Sequence, residues 1–346
     1  MKISCTKCVA AIAAGLILAV TSAHAGSRVV NCDEGDSLQI AIDSGAGSAK
    51  LLEIDLLGTC YEDIEIRRDR ISIIGNGDTT IVGQINSIGS DGIQFENLTI
   101  TGPGNGLVIA GGRVSLNYSS ISGNDRNGIS VFQNGTLTLF HCVVEGNGRV
   151  GIMLNDAATR IRFTEVAHNG ENGIFVTNGA TLRFAGGGVN FHENGSGVLA
   201  TNNSSINLAS SHVGMSNPNG IEMDLGSTGI IGDSFLNANA EMGILLGSNS
   251  AVEISGGGIE WNGRYGAWVR SHSTLKLVDA GVNNNIHHGV VVSTDAALFA
   301  SGSTRIENNT AGDWVQVECR DKESSVLIRG SVVINPPLVN CPDPDF

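Results

Sequence analysis

"NGIFVTNGATLRF", residues 172–184, sets two short runs of alternating apolar residues on either side of Asn178 and Gly179. In isolation it reads as a hairpin, because Asn-Gly suits a two-residue turn. Relatives of its opening triplet, however, return along the chain. The glycine of each recurrence falls at Gly106, Gly128, Gly151, Gly173, Gly197, Gly220, Gly243, Gly266, Gly289 and Gly312, in steps of 22 to 24 residues. Independent hairpins impose no constant step, so the stretch belongs to a repeat of about 23 residues.

One unit, "GILLGSNSAVEISGGGIEWNGRY" at 243–265, carries apolar residues in three clusters: Ile244 and Leu246, Val252 and Ile254, then Ile259. Each cluster is a short strand whose alternation buries one face. A single unit cannot close a core. Stacked units can, with backbone hydrogen bonds passing between coils about 4.8 Å apart. The glycine then marks a bend needing either a positive φ or the close approach of a neighbouring chain, and asparagine tolerates the left-handed conformation. A second column supports the stacking: Asn147, Asn239, Asn262, Asn285 and Asn308 lie 19 residues after their coil glycine, with Asn124 and Asn169 at 18. Stacked amides can bond along the axis. Leucine-rich repeats, propeller blades and calcium-binding nonapeptide coils need motifs or periods that this pattern lacks.

The first 25 residues stand apart from the repeat. Lys2 and Lys7, the run "VAAIAAGLILAV" and the end Ala23, His24, Ala25 read as a secretory signal peptide, its apolar run too short to span a bilayer. Its loss leaves 321 residues and takes the formal charge from −14 to −16, which opposes nucleic-acid binding. Polyanions are disfavoured as well unless a divalent cation or a local basic group intervenes. Five cysteines remain. Proximity in sequence pairs Cys32 with Cys60 and Cys319 with Cys341, one of three possible pairings, and leaves Cys142 as a buried thiol.

Over residues 32–335 these features resemble the right-handed parallel β-helix proteins of the pectate-lyase-like superfold. The resemblance implies an all-β solenoid of about 11 coils of roughly 23 residues. Within it, 26–82 form an N-terminal cap and first coils, 83–335 the β-helix coils and 336–346 a tail. In "CDEGDSLQIAIDSG", Asp36 is expected to N-cap a short capping helix presenting Leu38, Ala41 and Ile42 to the first open coil. The Pro-rich end "INPPLVNCPDPDF" is expected to drape the last coil rather than extend the ladder.

Such scaffolds carry lyases, hydrolases, esterases, epimerases and passive rods, so motifs must decide. The paired aspartates and G-H-G of polygalacturonases and the D-P-H-D of alginate epimerases are missing from this sequence. What remains is the outward face of the strand after each glycine. Its second position holds Val108, Met153, Phe175, Leu199, Leu245, Trp268 and Val291, interrupted by Ser130 and Glu222. An apolar column facing outward demands a partner or a cover.

Glu222 and Asp224 share one coil face; two coils on, Trp268 and Arg270 occupy the same columns, with Gly247 leaving a gap between. One reading is an enzyme: a lyase, glycoside hydrolase or epimerase in which Glu222 and Asp224 act as acid and base or hold Ca²⁺. Arg270 then neutralises a substrate carboxylate, Trp268 stacks on a ring, and Tyr265 or His288 removes a proton. His272, Phe175 and Asn155 are further contacts. The other reading is a noncatalytic structural, adhesive or protein-binding rod that binds glycan or protein, or self-associates, through the apolar column.

Overall fold

The computed structural model describes residues 27–44, 50–184, 189–309, 315–335 and 339–341. The signal-peptide reading of 1–25, Gly312 and most of the tail lie outside the described residues. Within them the chain winds into a three-sided solenoid. Three parallel sheets of 14, 13 and 13 strands run its length, each strand pairing with its counterpart one coil away. That makes about 13 turns rather than 11. The additional early turns escape a count based on glycine because Asp63 and Gln84 precede the matching strands Ile64–Ile66 and Ile85–Ile88.

The opening stretch shows how sequence and topology meet. Ile174–Thr177 and Thr181–Phe184 do not pair with each other but lie in different sheets. Asn178 and Gly179 take φ of 54° and 73°, a left-handed corner between two faces of the coil. In the unit 243–265, Ile244, Leu246, Val252, Ile254 and Ile259 are all buried in one continuous core.

The repeating glycines are not at left-handed corners; close approach explains them. A Cβ on Gly266 would stand 2.6 Å from the carbonyl oxygen of Gly289 in the next coil and 2.8 Å from the Asn285 amide nitrogen. The position matching Gly289 in the following coil is Gln316, whose carbonyl accepts from Val290 N–H. Gly312 is therefore not the coil marker, because this turn is longer than its neighbours.

The asparagine column is buried and bonded along the axis. Asn124 Nδ2 donates to Asn147 Oδ1 at 2.8 Å, Asn147 to Asn169 at 2.9 Å and Asn169 to Asn194 at 2.9 Å. After a break at Ser216 the ladder resumes from Asn239 through Asn262, Asn285 and Asn309 to Gln316. The ladder residue is thus Asn309, and exposed Asn308 is the left-handed corner beside it, φ 58°. Asn194 belongs to the column although its offset differs.

The disulfides Cys32–Cys60 and Cys319–Cys341 are present, and Cys142 is a buried free thiol whose pKa burial pushes up. A helix, Leu38–Ser44, buries Leu38, Ala41 and Ile42. Its N-cap is Ser37 rather than Asp36: Ser37 Oγ accepts from Ile40 N–H, and the Glu62 carboxylate takes Leu38 N–H at 2.6 Å. Asp36 is diverted to the Asn31 N–H at 3.0 Å, closing the preceding loop. At the other end Val339–Asn340 pairs with Val317 and Glu318, so the sheet continues beyond the prolines. The strand begins after Pro336 and Pro337, and no missing N–H interrupts the ladder. Among the described residues no helix is long and apolar enough to cross a membrane.

Candidate functional site

The outward column is in register: Phe175, Leu199, Glu222, Leu245, Trp268, Val291 and Glu318 follow one another on adjacent strands. It is not an open apolar strip throughout. Leu245 and Val291 are buried and form, with Met242 and Tyr265, a small second core on the outside of the sheet, against which Trp268 packs. Phe175 is half-buried, four coils and about 19 Å from Trp268.

Trp268 is the centre of a polar and aromatic cluster. Its indole N–H donates to Ser293 Oγ at 3.0 Å, and the guanidinium carbons of Arg270 and Arg320 lie 5.1 and 5.6 Å from its ring centroid. Tyr265 meets it edge to face at 6.1 Å. Arg320 Nη2 donates to the Tyr265 hydroxyl at 2.9 Å, and Arg320 Nε donates to Glu318 at 2.9 Å. His288 is buried, its ring 5.5 Å from Tyr265 and its Nε2 3.2 Å from Glu318 Oε2. Burial holds the His288 pKa below the ordinary histidine value, against the opposing pull of Glu318.

Of the residues singled out from sequence, Trp268, Arg270, Tyr265 and His288 thus come together. Glu222 and Asp224 stand nearby in the same columns. Asn219 Nδ2 donates to Glu222 at 3.3 Å, and Asp224 Oδ1 accepts the Leu225 N–H at 2.9 Å. Asp224 Oδ1 and Arg270 Nε both lie within 4 Å of where a Cβ on Gly247 would sit, so the two charges flank that glycine. His272 is separate, exposed at a corner with Nε2 3.2 Å from Asp295. Asn155 lines a groove of about 390 Å³ farther along the same face, with Val108, Phe132, Met153, Arg126 and Arg149. Glu318 and Arg320 escaped the sequence reading because the turn before Gln316 is long; their signal was the alternating Val317-Glu318-Cys319-Arg320.

A family model described as a right handed beta helix region matches residues 64–195. This chain is a right-handed parallel β-helix. Among solved structures it is similar to the A-module of the mannuronan C-5 epimerase AlgE6 of Azotobacter vinelandii. The identity is 13%, covering 91% of this chain and 100% of that one, with a TM-score of 0.67. The A-module of AlgE4 from the same organism matches at 13% identity over 92% and 96%, with a TM-score of 0.54. The catalytic domain of a GH87 α-1,3-glucanase in complex with nigerose matches at 13% over 88% and 69%, with a TM-score of 0.50. Identities this low establish the shared β-helix alone. Among curated proteins none matches the chain in sequence.

Proposed function

We propose that this β-helix is an exported protein that binds an acidic polysaccharide along the outer face carrying Trp268. The observation that carries the reading is the half-buried indole with the guanidiniums of Arg270 and Arg320 both within 6 Å of its ring centroid, on an otherwise acidic protein. Aromatic faces stack on sugar rings, and paired guanidiniums select carboxylates. Arg149 and Arg126 border the groove on the same face, five and six coils or about 24 and 29 Å from Trp268, a span suited to an extended polymer. Export is supported by the two disulfides. The similar structures include proteins named for mannuronan and α-1,3-glucan chemistry, which favours a glycan ligand.

Binding without catalysis fits the geometry better than an enzyme. Tyr265 and His288, the groups placed to move a proton, are buried behind Trp268. Glu222 and Asp224 lie beside the cluster, and the flanking of Gly247 by Asp224 and Arg270 is what favours the second reading, modification of the bound chain. Affinity electrophoresis against uronate-containing and neutral polysaccharides tests the proposal. Retardation by acidic polymers that is lost in Trp268→Ala supports it; retardation by neutral polymers alone, or by none, overturns it. Appearance of epimerised uronates within the same polymers, or release of unsaturated ones from them, decides for the second reading.

A further inference from the structure

A different edge of the solenoid gathers metal-ligating chemistry that glycan binding does not use. Glu165–Ala167 and Asn190–His192 are neighbouring strands of one sheet, with Ala167 aligned on His192. The next residues of the two coils, His168 and Glu193, both turn a left-handed corner. Their side chains converge: His168 Nδ1 lies 3.1 Å from Glu193 Oε2, and His192 Nδ1 4.0 Å from Glu193 Oε1. One ligand atom from each of His168, His192 and Glu193 falls within 4.8 Å of the others.

His192 is set up as a ligand on both sides of its ring. Nε2 is 2.7 Å from Glu165 Oε1, so the carboxylate takes the Nε2 proton and fixes the tautomer. Nδ1 is then left with its lone pair. That atom is buried and has no hydrogen-bond partner, while it faces the Glu193 carboxylate at 4.0 Å. A lone pair and a carboxylate oxygen at this separation repel unless a proton or a metal ion stands between them. A carboxylate holding the far nitrogen of a histidine is also the usual support for a metal-bound imidazole.

We propose that His168, His192 and Glu193 hold one divalent transition-metal ion of zinc type, with Glu165 as the residue that positions His192. Two imidazole nitrogens and a carboxylate oxygen favour zinc and its neighbours over Ca²⁺ or Mg²⁺, which prefer all-oxygen sets. Tetrahedral bonding at about 2.0–2.1 Å places ligand atoms about 3.3 Å apart. The His168–Glu193 pair is already there, and the half-exposed Glu193 side chain can swing to close its distance to His192. Water from the open side supplies the fourth position. The ion fastens two adjacent coils on an edge away from Trp268, so the inference does not depend on the glycan reading.

Isothermal titration of ZnCl₂ into tag-free protein, starting at residue 26 and freed of metal by chelator, tests this. One ion per chain is expected. His168→Ala and His192→Ala each weaken binding by at least about tenfold, and Glu165→Gln by about 10- to 100-fold. His141→Ala, which removes a histidine on another corner, leaves binding unchanged. Circular dichroism confirms that each variant is folded. Wild-type protein that binds no stoichiometric zinc overturns the proposal, as does binding that survives intact in the His168→Ala/His192→Ala double variant.

Discussion

Arg320 Nη2 donates a 2.9 Å hydrogen bond to the hydroxyl of Tyr265, a residue 55 positions earlier in the chain. The bond ties the last turns to the middle of the binding face. It also positions the guanidinium over Trp268, which Arg270 approaches as well. Arg320→Ala removes a charge-assisted bond worth about 1.5–3 kcal/mol and one wall of the indole site. Affinity for an oligouronate is expected to fall about tenfold or more. Arg320→Lys keeps the charge but loses the planar fork, and recovers only part of the affinity. Fluorescence titration of Trp268 measures both; equal affinity in wild type and Arg320→Ala would show that the cluster is structural only.

The His288 imidazole is held below its ordinary pKa, chiefly because burial disfavours its charged form; Arg320 and His287 add to this, while Glu318 and the Val315 carbonyl oppose it. The folded state therefore binds this proton less readily than the unfolded chain, whose histidines titrate near about 6.5. The contribution of His288 is fully present above that pH and declines as pH falls through it, because the unfolded state gains protons that the folded state does not. Urea midpoints are expected to drop between about pH 7.5 and about pH 5.5, with a shallower drop in His288→Gln. Identical pH slopes in the two proteins would contradict this.

At Gly266 the neighbouring coil leaves no room for a methyl group. The Gly289 carbonyl oxygen and Val282 Cγ1 both lie 2.6 Å from a Cβ there, and the backbone oxygen cannot move without breaking the ladder. Gly266→Ala is expected to cost about 3 kcal/mol or more. Gly179 has φ 73° but open space around it, so Gly179→Ala costs only the left-handed strain of about 1–2 kcal/mol. Denaturant unfolding of the two variants compares crowding with strain directly; the reverse order would mean that backbone conformation, not approach, fixes the repeating glycine.

The solenoid was legible because one buried pattern recurs. Ile244, Leu246, Val252, Ile254 and Ile259 repeat at nearly constant offsets, and each recurrence reinforces the same register. Columns derived from that register brought Trp268, Arg270, Tyr265 and His288 to one place without any contact being known. Legibility failed where a coil changes length. Asn194 and Asn309 miss the 18- and 19-residue offsets of their column, and Gln316 replaces glycine, because stacking in three dimensions restores an alignment that counting along the chain loses. Glu318 and Arg320 lay beyond such a turn. His168, His192 and Glu193 were missed for a related reason: His168 and Glu193 stand at corners and His192 ends the strand that leads into one, and at a corner side-chain direction depends on local backbone rather than on strand alternation.

Asn308 and Asn309 are adjacent, chemically identical and placed in opposite environments. Asn309 is buried; its Nδ2 donates to Gln316 Oε1 at 2.8 Å, and its Oδ1 accepts from Asn285 Nδ2 at 2.7 Å and from Asn285 N–H at 3.1 Å. Truncating it leaves the Asn285 N–H and one Asn285 Nδ2 hydrogen without a partner away from water, each costing about 1–3 kcal/mol, and leaves Gln316 Oε1 with only the Asn309 N–H at 3.3 Å. Asn309→Ala is therefore expected to destabilise by about 3 kcal/mol or more. Asn308 faces solvent at φ 58°, so Asn308→Ala loses only the tolerance of asparagine for that conformation, about 1 kcal/mol. Urea unfolding of the pair discriminates the two positions. Equal losses would mean that the amide ladder contributes nothing beyond the corner it adjoins, and that the core aliphatics alone hold the coils in register.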